Sequence, residues 1–455
     1  MADNNNTTLT IVMYPWFAMG HLTAYLHLSN KIAQKGHTIY FFIPKKTQSK
    51  LEQFNLHPNL IKFKPIIVPK IEGLPPDSET SSDVPFPLHP LLRLAMDLTR
   101  PTIADFLQEI KPHFVFFDFC HWMPSVTRPW GIKSMHLFVI SPATAAYVFR
   151  EGTVNDADLL KAPAGFPSSR IKLRTHEARG LNFVANCKES DGKMTFMQRI
   201  VTSTVECDAI GFKACKEMEG SYCQFLENKF KKPVILAGPV LPESPTSSLD
   251  EKWRNWLDLF KANTVIFCAF GSECKLQKEQ FQELLLGLEL TGFPFLVALK
   301  PPVGVLVIEE ALPEGFVERT KGRCVVEGGW VQQQLILGHP SVGCFVTHCG
   351  SGSLSEALVS ECQIVLLPNI GDQVINARLM GEELRVGVEV EKGDEDGLFT
   401  MNGVCEAIKM VMDEGSEIGK EVRANHTKWR EFLLSDGVES CYMDDFLHQL
   451  RGLLH

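Results

Sequence analysis

Leu9–Ile43, LTIVMYPWFAMGHLTAYLHLSNKIAQKGHTIYFFI, is the stretch that decides the fold. It opens on a short apolar run, Leu9–Tyr14, which breaks at Pro15 into a loop carrying Gly20. Leu22, Leu26, Leu28, Ile32 and Ala33 then recur at helical spacing as far as Gly36, and Thr38–Ile43 returns to an apolar strand. Strand, glycine-bearing loop, helix and strand make a βαβ unit. The same plan recurs about 250 residues later: Thr264–Phe270 reads as a strand, Gly271-Ser272 as the loop and Gln277–Thr291 as the helix. Gly292 ends that helix, Pro294 bars its continuation, and Phe295–Leu299 is the next strand. The fold class is therefore α/β, with two doubly wound parallel-sheet domains facing each other across a cleft.

Length and composition agree. A chain of 455 residues with 45% hydrophobic and 22% charged residues suits two globular domains. The Pro- and Ser-rich stretch 239–250 lacks periodicity and reads as the linker between an N-terminal domain (1–238) and a C-terminal one (251–435). The tail, 436–455, is patterned as a helix able to pack back on the first domain, after a first terminal helix at Val422–Leu434. Pro75–Pro90 and Asp156–Arg170 are rich in turn residues and read as long surface loops.

A net charge of −9 with no dense run of Lys and Arg argues against a nucleic-acid partner. The N-terminus MADNNNTTLT lacks the basic-then-apolar layout of a signal peptide, and no apolar run approaches the roughly 20 residues of a membrane span. The thirteen cysteines include no CxxC pair. These features lead to the expectation of a soluble, cytoplasmic, monomeric protein.

Ligands of open parallel sheets sit beyond the carboxyl ends of the strands. The segment Trp330–Gln373, WVQQQLILGHPSVGCFVTHCGSGSLSEALVSECQIVLLPNIGDQ, meets that requirement. Its strand Val342–Thr347 runs into His348-Cys-Gly350-Ser351-Gly352-Ser353 and then a helix. Small residues at a strand-to-helix turn let backbone amides approach an anion, and the helix N-terminus adds about half a positive charge. His348 and Ser353 can add side-chain donors, which makes a pyrophosphate site that calls for no metal. Gly-Ser turns before helices are common, so the neighbours carry the argument. Trp330 offers a flat face for a base, Glu356 can accept from ribose hydroxyls, and Asp372-Gln373 can bind several sugar hydroxyls. A dinucleotide site would instead need GxGxxG after the first strand, which Leu9–Ile43 lacks.

This segment resembles the signature box of the plant UDP-dependent glycosyltransferases, family 1, whose fold is GT-B with two Rossmann-like domains. The matching positions include Trp330, Gln333, His339, Gly343, His348, Gly350, Ser353, Glu356, Asp372 and Gln373. By this resemblance Trp330 stacks on uracil and Val331 bonds it through its backbone. Gln333 and Glu356 hold the ribose. His348, Gly350, Ser353 and Ser272 hold the phosphates, and Asp372 and Gln373 read the sugar. Gly20 joins this donor set. The co-substrate is a UDP-sugar, with no other cofactor and no metal. Ser351-Gly352 stands where the family usually has Trp-Asn, so UDP is better specified than the sugar it carries.

The reaction also needs a base for the acceptor's proton. His21 follows the first strand, and Asp118 follows another, His113–Phe117. Alone, either residue is more often structural. Together, after two strands of one sheet, they make a catalytic pair in which the carboxylate sets the imidazole tautomer. The resemblance implies the same dyad. Asp156-Ala-Asp158 and Asp394-Glu-Asp396 look like metal-binding DxD motifs, but neither follows a strand.

Trp16, Phe17, Phe119, Trp122 and Tyr147, with Ser141, are the candidate acceptor wall, suited to a flat phenolic molecule. Asp118-Phe-Cys-His-Trp122-Met-Pro124 and Trp253-Arg-Asn-Trp256-Leu-Asp258 are similar to the branch that extends the sugars of flavonoid, anthocyanin and related phenolic glycosides. That similarity implies transfer to the sugar of a phenolic glycoside. A phenolic or terpenoid aglycone hydroxyl is the alternative acceptor, and a UDP-sugar-binding protein without catalysis is the alternative class.

Overall fold

The structure, a computed structural model, describes residues 8–150, 154–243, 245, 247–271 and 273–455. Two parallel sheets organise it. The first holds β1 (Thr10–Tyr14), β2 (Thr38–Pro44), β3 (Ile61–Ile66), β4 (Phe114–Phe117), β5 (Lys133–Phe138), β6 (Ala209–Phe212) and β7 (Val234–Leu236), in the order β3-β2-β1-β4-β5-β6-β7. The second holds β8 (Val265–Ala269), β9 (Phe295–Ala298), β10 (Cys324–Glu327), β11 (Val342–Thr347), β12 (Gln363–Leu366) and β13 (Gly387–Glu389), in the order β10-β9-β8-β11-β12-β13. β1, β4, β8 and β11 are continuous apolar runs because helices cover both faces of each sheet.

Strand order has a direct consequence for the site. In each sheet the chain winds outward from its first strand and then restarts on the other side. β1 lies beside β4, with Met13 opposite Phe116, and β8 lies beside β11, with Phe267 opposite Phe345. The loops leaving such a pair diverge and leave a crevice between them. Two crevices result, one per half.

The helix after β1 spans Met19–Gln34, and that after β8 spans Lys278–Leu290. The latter is one residue shorter at each end than the pattern predicts. Gln277 is its extended N-cap, and the Thr291 hydroxyl turns back onto the Leu288 carbonyl. The stretch 156–170 is not wholly a loop. Asp156–Leu159 forms one helical turn, because Asn155 and Asp158 cap it reciprocally.

After Glu417–Leu434, which packs on the second half, the tail helix Val438–Gly452 returns to the first sheet. Met443, Phe446 and Leu450 are buried with Ile11, Phe116 and Leu137. Gly238, at φ +84°, lets the linker leave the sheet beneath this helix. A Cβ there would lie 2.5 Å from the Tyr442 Cβ. The linker and tail are tied by Lys31, which bridges Glu243 (2.7 Å) and Glu439 (2.9 Å).

Polar contacts lock the halves together. Arg378 in the second half pairs with the buried Glu177 of the first at 2.9 Å, and Arg174 reaches Glu389 at 2.7 Å. Ser81 bonds Glu273, and Thr175 bonds Asp394. These contacts bring the two crevices face to face.

Candidate active site

The loop after β1 turns through Pro15, Trp16 and Phe17 into the Met19–Gln34 helix, whose first turn carries His21. Asp118 follows β4 directly and is buried, with one carboxylate oxygen accepting the Phe119 amide at 2.8 Å. The other oxygen meets His21 Nδ1 at 2.6 Å. An ionised carboxylate only accepts, so Nδ1 carries the proton and Nε2 keeps its lone pair. A positive charge arriving on the ring is then stabilised by a carboxylate already in place. The Phe119 ring stands edge-on to His21 with centroids 5.2 Å apart, and it also contacts Trp16 and Phe196.

At the second crevice, the loops after β8 and β11 close on the imidazole of His348. A Cβ at Gly350 would lie 2.7 Å from Nε2, and one at Gly271 would lie 3.1 Å away, so both glycines give the ring its place. Burial lowers the pKa of His348 to about 4, which keeps it neutral, and its buried Nδ1 has no hydrogen-bond partner among the described residues. A buried ring nitrogen with no partner, at the start of the Ser351–Val359 helix, suits an oxyanion ligand.

The remaining donor candidates gather around that helix. Gln333 Nε2 bonds Glu356 and Ser353 Oγ (3.2 Å), and Gln334 Nε2 reaches the other Glu356 oxygen at 3.3 Å. Burial holds the Glu356 carboxyl above its usual range. Trp330 is 80% exposed and Val331 is buried. Burial likewise raises the Asp372 carboxyl, while the hydrogen bond it accepts from Asn376 acts in the opposite direction. Gln373 turns its carbonyl oxygen onto the amides of Asn369 and Ile370, which leaves its amide nitrogen for a ligand. Gly352 faces open space, since a Cβ there meets nothing within 4 Å; the same holds at Gly20. Ser272 lies outside the described residues.

The acceptor wall needs correction. Tyr147 is fully buried, with its hydroxyl on the Leu159 carbonyl, and Phe17 is equally buried. Trp122 is buried with its Nε1–H donated to Asp97. Trp16 is also buried, its ring packed on Phe17 and Phe119. Ser141 caps the helix Pro142–Val148 and donates to Asn376 of the second half. Of the six, Phe119 and Ser141 are partly exposed, and Phe119 stands against the dyad. The strands before these loops are so apolar that the first aromatics after them continue the core.

A buried ion cluster escaped the sequence analysis. Arg199, almost wholly buried, binds both oxygens of Asp97 and donates Nε–H to the Phe119 carbonyl, while Arg93 binds Glu189 at 2.8 Å. A cavity of about 50 Å³ opens beside it, lined in part by Asp97, His121, Glu189, Asp191 and Arg199. These charges come from three separate segments, the helix His89–Leu98, the turn with Glu189 and Asp191, and the helix Phe196–Glu206. The one available signal was Arg199 on the buried stripe of its helix, with Ile200 and Ser203.

The DxD pairs have other partners. Asp158 caps its helix, and Asp394 accepts from Thr175. Among the described residues no group of three or more His, Cys, Asp or Glu is placed to hold a metal ion, and no helix is long and apolar enough to cross a membrane.

A family model described as UDP-glucoronosyl and UDP-glucosyl transferase matches residues 267–421, and one described as glycosyltransferase, N-terminal domain, matches residues 7–114. The chain is 59% identical to a cyanidin 3-O-galactoside 2''-O-xylosyltransferase of Actinidia chinensis var. chinensis, covering 98% of this chain and 99% of the relative. It is 55% identical, at the same coverage, to an anthocyanidin 3-O-glucoside 2''-O-glucosyltransferase of Ipomoea nil. An anthocyanidin 3-O-glucoside 2'''-O-xylosyltransferase of Arabidopsis thaliana is 50% identical, with 99% and 98% covered. Among solved structures, a Polygonum tinctorium UDP-glucosyltransferase capable of glucosylating indoxyl, in complex with 3,4-dichloroaniline, superposes with a TM-score of 0.79 at 22% identity over 99% of both chains. A UDP-glucose: anthocyanidin 3-O-glucosyltransferase in complex with UDP gives 0.76 at 22% identity, with 98% of this chain and 99% of that one covered. At such identities these two establish the shared fold. With sequence identity sustained from end to end and both crevices of that fold in place, the chain belongs to the plant family 1 UDP-dependent glycosyltransferases, enzymes of the GT-B fold that transfer a sugar from a UDP donor.

Proposed function

We propose that the enzyme adds glucose, xylose or rhamnose from its UDP-sugar to a hydroxyl on the sugar of a phenolic glycoside of the anthocyanin or flavonoid class, with inversion. The observation that carries the chemistry is the pairing of His21 Nδ1 with the buried Asp118 carboxylate at 2.6 Å. The acceptor class rests on the relatives named above, which act on the sugar of such glycosides.

In this reaction His21 Nε2 takes the acceptor hydroxyl's proton as its oxygen attacks the anomeric carbon. The bond from that carbon to the pyrophosphate oxygen breaks, and UDP departs with the bonding pair. A single displacement inverts the anomeric centre. Asp118 stabilises the imidazolium, while the amides opening the Ser351–Val359 helix, Ser353 and neutral His348 meet the charge growing on UDP. Asp372 and the Gln373 amide nitrogen hold the sugar, Gln333 and Glu356 the ribose, and Trp330 the base. The reaction needs no metal, and it runs in the cytoplasm on a monomeric enzyme.

A mass-spectrometric screen tests this. UDP-glucose, UDP-xylose and UDP-rhamnose are each offered with anthocyanidins and flavonols and with their 3-O-monoglycosides, with and without EDTA. Diglycosides formed from the monoglycosides, with EDTA present, are expected; products from aglycones alone would reject the acceptor assignment. His21→Ala is expected to lower kcat by at least ~10³-fold at an unchanged melting temperature.

A further inference from the structure

Asn376 joins both halves of the enzyme to the loop after β11. It lies on the helix that begins at Asp372 and is 2% exposed. Its carbonyl oxygen accepts from Ser141 Oγ at 2.9 Å, in the first half. Its amide nitrogen donates to the Cys349 carbonyl and to Asp372 Oδ2, both at 3.1 Å, with Ser351 Oγ at 3.4 Å.

Each of these partners bears on the donor. Cys349 sits at φ +66°, a left-handed conformation that a side chain other than glycine's adopts at a cost. The bond from Asn376 holds its carbonyl and so orients the whole Cys349–Gly350 peptide, whose N–H points the opposite way. That peptide leads into the Ser351–Val359 helix. Asp372 is the sugar-reading carboxylate in this reading, and the bond from Asn376 is the largest of the hydrogen bonds that hold it, with its own amide and the Ser351 hydroxyl adding to it. In place of the family's usual Trp-Asn, Ser351 and Gly352 offer little bulk to brace this corner. Asn376 supplies the brace from below.

We propose that Asn376 is a positioning residue: it holds Asp372 and the Cys349–Gly350 peptide in the geometry that receives the UDP-sugar, and through Ser141 it ties that geometry to the acceptor-binding half. The assignment rests on the UDP-sugar reading of the site.

Steady-state kinetics on the full-length enzyme test it, with Asn376→Ala, Asn376→Ser and Ser141→Ala, alongside UDP binding by calorimetry. Asn376→Ala is expected to raise the KM for the UDP-sugar ~10-fold and to lower kcat ~10-fold, with the acceptor KM within twofold of wild type. A purely structural role would reduce the active fraction, and hence kcat, without moving the donor KM. Ser141→Ala is expected to lower kcat several-fold while the UDP dissociation constant stays put, because the residues assigned to the base, ribose and phosphates, Trp330, Gln333, Glu356, His348 and Ser353, all lie in the second half. If Asn376→Ala does not fold, Asn376→Ser carries the same expectation. A folded Asn376 variant with donor KM and kcat within twofold of wild type overturns the proposal. A wild-type enzyme that transfers nothing from any UDP-sugar overturns the functional reading instead, so the two failures are distinct.

Discussion

A carboxyl group buried without a cation settles its protonation state by desolvation. Glu219 is buried in the helix Lys216–Phe230, accepts only the Ala143 amide at 3.2 Å, and has Cys215, Tyr222 and Cys223 nearby. Burial pushes its pKa up to about 7. Folding therefore favours the protonated form. The stability it contributes is full below the unfolded value near 4.5 and is lost as pH rises through 7. Glu219→Gln, neutral throughout, is expected to gain about 2–3 kcal/mol over wild type at pH 8 and nothing at pH 4.5, read as a higher melting temperature only in the alkaline scan. No sequence pattern distinguishes this Glu from the solvated ones on its helix. The meeting of His21 with Asp118 was legible because each follows a strand of obvious apolar character. Tyr147 and Trp122 were misread because burial beneath a loop leaves no local mark.

Among the elements, the turn after β4 shows how a loop becomes rigid. Residues 118–122 carry half the dyad and the Phe119 ring, and the Asp118 side chain accepts the Phe119 amide within the turn. Arg199 clamps them from outside through the Phe119 carbonyl, while its guanidinium is neutralised by Asp97, with Glu189 3.6 Å away. Removing one member of a buried ion cluster strands the others. Arg199→Met is expected to cost about 3–5 kcal/mol in urea unfolding and to lower kcat through a loosened Phe119 and Asp118, whereas Arg199→Lys retains part of both. The helix after β8 was readable to within a residue, since periodicity and terminal glycines act locally, whereas that after β1 begins at Met19 and takes in Gly20, which the sequence reading left in the loop before Leu22. Asp156–Leu159 was not, because one turn is too short for periodicity and rests on the Asn155–Asp158 cap alone.

At the level of the whole molecule, the chain ends where it began. The tail helix seals the first sheet with Phe446, which is fully buried and stands edge-on to Phe116 at 6.0 Å. Phe446→Ala leaves a cavity that the rigid sheet cannot fill. It is expected to cost about 3–5 kcal/mol and to unfold the first half at lower temperature, with UDP binding by the second half retained until then. Sequence alone determined the two parallel sheets, the return of the tail and the composition of the donor loop, because apolar runs, glycine punctuation and a segment of fixed spacing are properties of neighbouring residues. Only the tertiary structure decided the rest. Which aromatics are core and which face the cleft, how Arg199 braces the dyad loop, and how Asn376 binds Ser141 all depend on side chains from distant segments meeting at β1/β4 and β8/β11. Strand order, which no local pattern encodes, sets those meetings.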